Sequence, residues 1–508
     1  MSSKKTFKLF FFLLLFLAFF TRFIKLNWGD SYFFHPDENN MVTAILQMDK
    51  DNLNPNFFAY GQFPLYLTYF TTPQHTFPSI TLTLRFWSAL FSSFSVLFFY
   101  LILSHFFKNK KILFLTTLLF IFLPGLIQSA HFGTTESLLS LLFLINIYLS
   151  LKLLDKYKVK YLFFLSLSSG LALATKISSF LFLTPVYLSL IFLFSKKKNI
   201  KNLIKRLSIF TFLSLLIFLL FSPYNFLDFA SFWKSISYEL KVATGQLKVF
   251  YTRQFLNTSP YLFQFKNIFP YAISIPILIL SLFGIINLPK KKSKKILLVL
   301  TPVIIFFLYQ GQLFVKWTRF MTPIFFIFPF LAAFFLNKIK NNFLLFPIIF
   351  ISILPGLFFL NIYFQPDIRL QASQWLKSNL KNNAQVISES NNVLNLPLGQ
   401  HNFQVFNFDF YNLENNPQLK QEFQKYLSTA DYIIIPSRRV FKNHHSPNYP
   451  YVEKYYQDLF SQQLPFKKIK EFKVKNTFLL NSENAEETYS VFDHPTIRIY
   501  QRLGDYEQ

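Results

Sequence analysis

The residues best suited to chemistry are acids and bases at the ends of apolar runs. The segment Phe34-His35-Pro36-Asp37-Glu38-Asn39-Asn40 sets two adjacent carboxylates directly after a proline. Proline suits the first turn of a helix, and acids suit its N-terminal end. Asp37 and Glu38 therefore read either as helix-capping charges or as a carboxylate site. Met41, Ala44, Ile45 and Met48 follow at helical spacing, which predicts a helix lying along a membrane surface. A second acid, Glu136, closes Ser129-Ala130-His131-Phe132-Gly133-Thr134-Thr135-Glu136, where another apolar run begins. An ionisable group at the start of a span is costly unless it faces a polar cavity; the plain alternative is again a cap. Lys176, Arg253, Lys316 and Arg319 are the bases in the matching loops. Singly, each reads as a side chain snorkelling at the interface. Together they suit a phosphate, and the planar fork of Arg319 suits it best. Asp37 and Glu136, with His35 and His131 beside them, are candidate ligands for a divalent metal. No other cofactor is implied.

This inventory fits the transfer of a sugar carried on a lipid phosphate. The phosphate leaves as an anion and needs charge stabilisation rather than an acid. The acceptor hydroxyl is the poorer partner and needs a base. One aspartate and a phosphate-binding Arg or Lys meet both demands, although the same groups also serve other chemistry.

The elements that must hold these residues are apolar. Just over half of the 508 residues are hydrophobic, and eleven runs approach the length of a bilayer crossing. They cover 10–26, 84–107, 112–128, 137–154, 161–175, 177–194, 207–221, 268–288, 296–313, 320–336 and 343–364, the fifth being short enough to be tilted, fused to its neighbour or re-entrant. The first lacks a small-residue cleavage site and is read as a retained helix. The net charge of +27 comes from short basic clusters between these runs, not from one stripe, which excludes a nucleic-acid partner. With a cytoplasmic N-terminus every cluster falls on the cytoplasmic side: Lys4, Lys5 and Lys8; Lys108 to Lys111; Lys152 to Lys160; Lys196 to Arg206; Lys290 to Lys295; Lys338 and Lys340. Three long segments then face outward, at 28–83, 222–267 and 365–508. The chain is thus expected to be an all-α multi-pass bundle over 1–364, in the cytoplasmic membrane, followed by a small extracytoplasmic α/β domain over 365–508. In that tail 372–380 and 452–460 read as helices, and 384–388 and 432–436 as strands. Absence of cysteine excludes disulfides, thiol catalysis and thiolate-bound metal.

Several segments, in order, resemble the polyprenyl-phosphate-dependent glycosyltransferases of the C-type fold, in the protein O-mannosyltransferase group (glycosyltransferase family 39). They are Asp37-Glu38 after the first run, Tyr60-Gly61-Gln62-Phe63-Pro64-Leu65-Tyr66-Leu67, and His131-Phe132-Gly133-Thr134-Thr135-Glu136, where many relatives have Asp. Ala174-Thr175-Lys176 and Lys316-Trp317-Thr318-Arg319-Phe320-Met321-Thr322-Pro323 continue the set. The tail, with Ala372-Ser373-Gln374-Trp375-Leu376, Pro436-Ser437-Arg438-Arg439 and Ala485-Glu486-Glu487-Thr488-Tyr489-Ser490-Val491-Phe492-Asp493-His494-Pro495, is similar to a phospholipid-carrier-dependent bacterial and archaeal branch. The resemblance implies an inverting transferase with a polyprenyl-phosphate-linked sugar as donor and a protein, lipid or glycan acceptor. It implies Asp37 as base, with Glu38 and Glu136 beside it, and Arg319, Lys316 and Lys176 on the donor phosphate. Two other classes fit an envelope membrane protein: a flippase for a lipid-linked saccharide, and a non-catalytic assembly scaffold. A flippase wants polar groups through the bilayer midplane and paired repeats; the acids here sit at one face, and no repeat is evident.

Overall fold

The computed structural model describes residues 3–194, 200–289, 293–389, 396–444, 447–474 and 480–504. Each of the eleven apolar runs coincides with apolar helix. Among the described residues six helices are long and apolar enough to cross a membrane: Phe77–Ser104, Glu136–Asp155, Ile177–Phe194, Ile200–Phe221, Lys294–Gly311 and Asn342–Phe364. Two more runs are bent pairs, Lys110–Ile121 with Pro124–His131 at 55° and Thr318–Ile324 with Ile327–Leu336 at 46°. The remaining three, Phe10–Phe23, Val159–Leu173 and Pro270–Ile286, are shorter. The chain is a multi-pass membrane protein. The short fifth run ends at Leu173 and is followed by a 3₁₀ turn over Ile177–Leu183, so Lys176 sits in a break between two helices.

The first bend has a local cause. The helix stops at Ile121 and restarts at Pro124, so carbonyls of its last turn lack helical partners inside the apolar layer. Buried Arg22 of the first helix donates to Ile121 O at 2.5 Å and satisfies it.

Basic loops gather at one end of the bundle. There Lys111 contacts Asn342, Lys295 pairs with Asp155, and Lys294 donates to Phe192 O at 2.8 Å. Lys196, Lys197, Lys198, Lys290, Lys291 and Lys292 lie outside the described residues. The two long loops, 28–83 and 222–267, and the tail occupy the other end. The Pro36–Leu46 helix starts at Pro36 as expected, but it does not lie open on a surface. Met41, Val42, Ala44, Ile45 and Met48 are buried against Tyr60, Leu65, Tyr69, Ile80 and Leu84.

The tail is an α/β domain around a five-stranded sheet of order β2-β1-β3-β5-β4, with β1 Gln385–Glu389, β2 Gln404–Phe408, β3 Tyr432–Ile435, β4 Phe466–Phe472 and β5 Ile497–Arg502. β1 pairs in parallel with β2 and β3, and β5 runs antiparallel to β3 and β4. Helices Ile368–Asn379 and Pro450–Phe460 match the sequence expectation, as do β1 and β3 within a residue. One apolar cluster joins this domain to the bundle: Trp28, Phe34, Ile127, Phe132, Phe359 and Tyr363 pack with Tyr489, Phe492, Ile497 and Ile499.

Candidate active site

The acidic pair is split by helical phase. Successive residues on a helix point about 100° apart, so Asp37 and Glu38 face different partners. Glu38 is fully buried and held by Arg85, whose Nε and Nη2 donate to its two oxygens at 3.0 and 2.7 Å. Gly133 N–H adds a third bond to Glu38 at 2.6 Å. Arg85 Nη1 also donates to the carbonyls of Leu26 and Trp28, and its guanidinium lies over the Trp28 ring. This assembly ties the first long loop to the Phe77–Ser104 helix and to the His131-Phe132-Gly133 turn. A side chain at 133 would press on Leu84 Cβ and the Arg85 backbone, which is why glycine stands there. Glu38 is thus occupied in structure, not open to a substrate. Removing one member of such a buried pair strands the other. Glu38→Gln and Arg85→Gln should each lower stability by roughly 3–5 kcal/mol, seen as a fall in melting temperature of the detergent-solubilised chain. Unchanged melting of both variants would refute this role.

Asp37 faces the opposite way and forms an ion pair with Arg319. Both side chains keep 17 % of their surface accessible, so the pair can be reached from solvent. Arg319 sits in the short Thr318–Met321 helix, with its guanidinium over the rings of Trp317 and Phe320. It lines a cleft with His35, Gln128, Glu136, Thr322 and Thr488. Glu136, at the start of the Glu136–Asp155 helix, is buried there with neither carboxylate oxygen hydrogen-bonded among the described residues. Lys176 interacts electrostatically with Glu136 and with Glu239 of the second long loop. Burial lowers the pKa of its ammonium, and these two acids oppose the shift. Lys176 lies over the rings of Tyr60 and Phe320. Gly61 fixes that loop: its N–H donates to Thr175 O at 2.8 Å, and a Cβ there would run into the Ala174 carbonyl.

Not every expected residue turns inward. Lys316 donates to Thr258 Oγ1 and Phe314 O, at 3.2 and 2.9 Å, beneath the second long loop. Burial lowers its pKa to about 8. Arg253 contacts His444 of the tail at 2.7 Å instead of the cleft. His35 accepts the Glu38 N–H through Nδ1 and lies between the Phe132 and Phe492 rings. Burial first, then the Arg319 and Arg85 charges, hold its pKa well below the usual value, so it is neutral at pH 7. Both ring nitrogens of His131 face backbone carbonyls at 2.8 Å, which removes it as a metal ligand. Among the described residues no three His, Asp or Glu side chains converge to hold a metal. Asp37 is engaged by Arg319, so Glu136 alone brings a free carboxylate. This donor set does not fit a metal cage.

The 485–495 segment of the tail, which carried the resemblance but no expected site role, reaches the cleft. Thr488 lines the cleft, Phe492 covers His35, and Gln128 donates to Tyr489 O and to the Asp493 carboxylate at 3.0 to 3.2 Å.

A multi-pass helical bundle with an acid–base cleft beside an α/β domain has counterparts among solved structures. ArnT from Cupriavidus metallidurans, bound to undecaprenyl phosphate, is 11% identical, with a TM-score of 0.51 over 98% of each chain. The oligosaccharyltransferase of Archaeoglobus fulgidus, in its apo form, is 12% identical with a TM-score of 0.50, over 84% of this chain and 69% of that one. The same archaeal protein, AglB, in complex with an inhibitory peptide and a dolichol-phosphate, gives 12% and 0.50, over 83% and 69%. The fold is that of the C-type glycosyltransferases. Within this C-type fold, residues 77–226 match the family model described as dolichyl-phosphate-mannose-protein mannosyltransferase. The matched stretch carries Arg85, Glu136 and Lys176, whereas Asp37 and Arg319 lie outside it. The comparison with curated proteins gives no match.

Proposed function

We propose that the chain is an inverting glycosyltransferase that moves a sugar from a polyprenyl-phosphate donor to an acceptor hydroxyl at the outer face of the cytoplasmic membrane. The observation that carries this reading is Arg319, ion-paired with Asp37, in one cleft with Glu136, whose carboxylate makes no hydrogen bond among the described residues. The donor's phosphodiester offers two charged oxygens to the fork of the Arg319 guanidinium and gains a second charge as it departs, so it would compete for Arg319 and release Asp37. The acceptor oxygen then attacks the anomeric carbon from the face opposite the phosphate. As the new C–O bond forms, the sugar–phosphate C–O bond breaks. Asp37 takes the hydroxyl proton, and Arg319, helped by Lys176, receives the negative charge of the departing phosphate. Undecaprenyl phosphate and dolichol-phosphate in two proteins of this fold support a lipid-phosphate leaving group. The polar side chains gather at the end opposite the basic loops, which favours transfer at one membrane face over transport through it.

Mass spectrometry of envelope lipids, glycans and exported proteins, with and without the chain, tests the reading. One class should lose a hexose-sized increment when the chain is absent, and the loss should return with the native chain but not with Asp37→Asn. A reporter fused after Gly504 should read outside. Unchanged profiles, or a cytoplasmic reporter, would remove the proposal.

A further inference from the structure

The tail is not merely docked near the cleft. Glu486 is almost fully buried, and its two oxygens serve three elements at once. Oε2 accepts the N–H of Thr318 at 2.8 Å. Oε1 accepts the N–H of Thr488 at 3.1 Å and an amide hydrogen of Gln254 at 3.2 Å. Thr318 is the first residue of the short helix that carries Arg319. A four-residue helix has nearly all of its N–H groups unsatisfied and little stability of its own. A carboxylate on the first of those groups fixes where the next residue points. Neighbouring Glu487 is locked by Arg439 at 2.9 Å and accepts from Asn443 at 3.2 Å, so the strand of chain that presents Glu486 is anchored within the tail domain. Glu486 and Glu487 also act electrostatically on Arg319.

We infer that Glu486 is a positioning residue: it holds the Arg319 guanidinium in register with the donor phosphate, making the tail domain part of the phosphate site. This rests on the proposed role of Arg319. The alternative is that Glu486 only glues two domains together. Gluing would affect stability and leave the response of the site to Arg319 independent.

A double-mutant cycle separates the two. The full-length chain in nanodiscs is titrated with undecaprenyl phosphate as probe. Arg319→Ala and Glu486→Ala should each weaken binding by about tenfold or more, the loss expected for a charge-assisted hydrogen bond. The double variant should bind no worse than Arg319→Ala alone, because Glu486 acts only through that side chain. Glu486→Gln keeps size and one accepting oxygen, so it should fold normally and lose less. Native binding by Glu486→Gln and Glu486→Ala, or losses that add in the double variant, would overturn the positioning role. Native binding by Arg319→Ala would instead overturn the phosphate reading itself, and this inference with it.

Discussion

Asp37→Asn is expected to cut turnover by about a hundred- to ten-thousand-fold, the usual contribution of a positioned base. Asparagine keeps the size of the side chain but has no basic oxygen to take the acceptor proton. It also ends the ion pair with Arg319. Donor binding should therefore survive or even tighten, since the guanidinium no longer has a competing carboxylate. Turnover is measured with a natural lipid-linked donor at equal amounts of folded protein. The informative comparison is Glu136→Gln. Normal turnover of Asp37→Asn with an inactive Glu136→Gln would move the base to Glu136, whose carboxylate lines the same cleft. If neither change mattered, acid–base transfer at this cleft would be untenable.

The second large effect is expected at Arg319. Arg319→Lys retains the positive charge but loses the fork that offers two parallel donors to a phosphate. A loss of roughly ten- to a hundredfold in turnover per donor encountered is expected, most of it in the half-saturating donor concentration. A shorter-reaching ammonium also stacks less well on Trp317 and Phe320, which frame the guanidinium. Steady-state kinetics over a range of donor concentrations checks this. Native kinetics in Arg319→Lys would mean that a point charge suffices, and Lys176 would become the leading phosphate ligand.

Much of the bundle was legible because the bilayer demands it. Apolar runs of fixed length and basic loops of fixed side are physical requirements, and the helices fall where the runs do. Convergence of Asp37 with Arg319 was legible too, since both flank runs at the same end. The separate fates of Asp37 and Glu38 were not. Adjacent acids look alike in a sequence, and only the rotation of the helix sends one to Arg85 and the other to Arg319. Arg85 itself had a signal: it is a lone arginine in an apolar helix, where a charge demands a partner. Lys316 stands three positions from Arg319, yet the loop turns it toward Thr258. In the tail, β4 is an edge strand whose residues 467–471, Lys-Lys-Ile-Lys-Glu, are exposed on both faces, so no apolar alternation announced it. The hydrogen bond from Thr318 to Glu486 spans 168 positions, and no local pattern reaches that far.

The order of the chain gives the interlock between tail and bundle a temporal meaning. The apolar helices between residues 10 and 364 are synthesised before Glu486, Thr488 and Phe492 emerge from the ribosome. A growing chain therefore owns its acids and its arginine well before it owns the wall that sets their spacing. The last hydrogen bonds made are the ones that complete the cleft, so competence arrives with the folding of the tail and not with insertion of the helices. On the proposed function, a half-made copy would lie in the membrane before its phosphate site is complete.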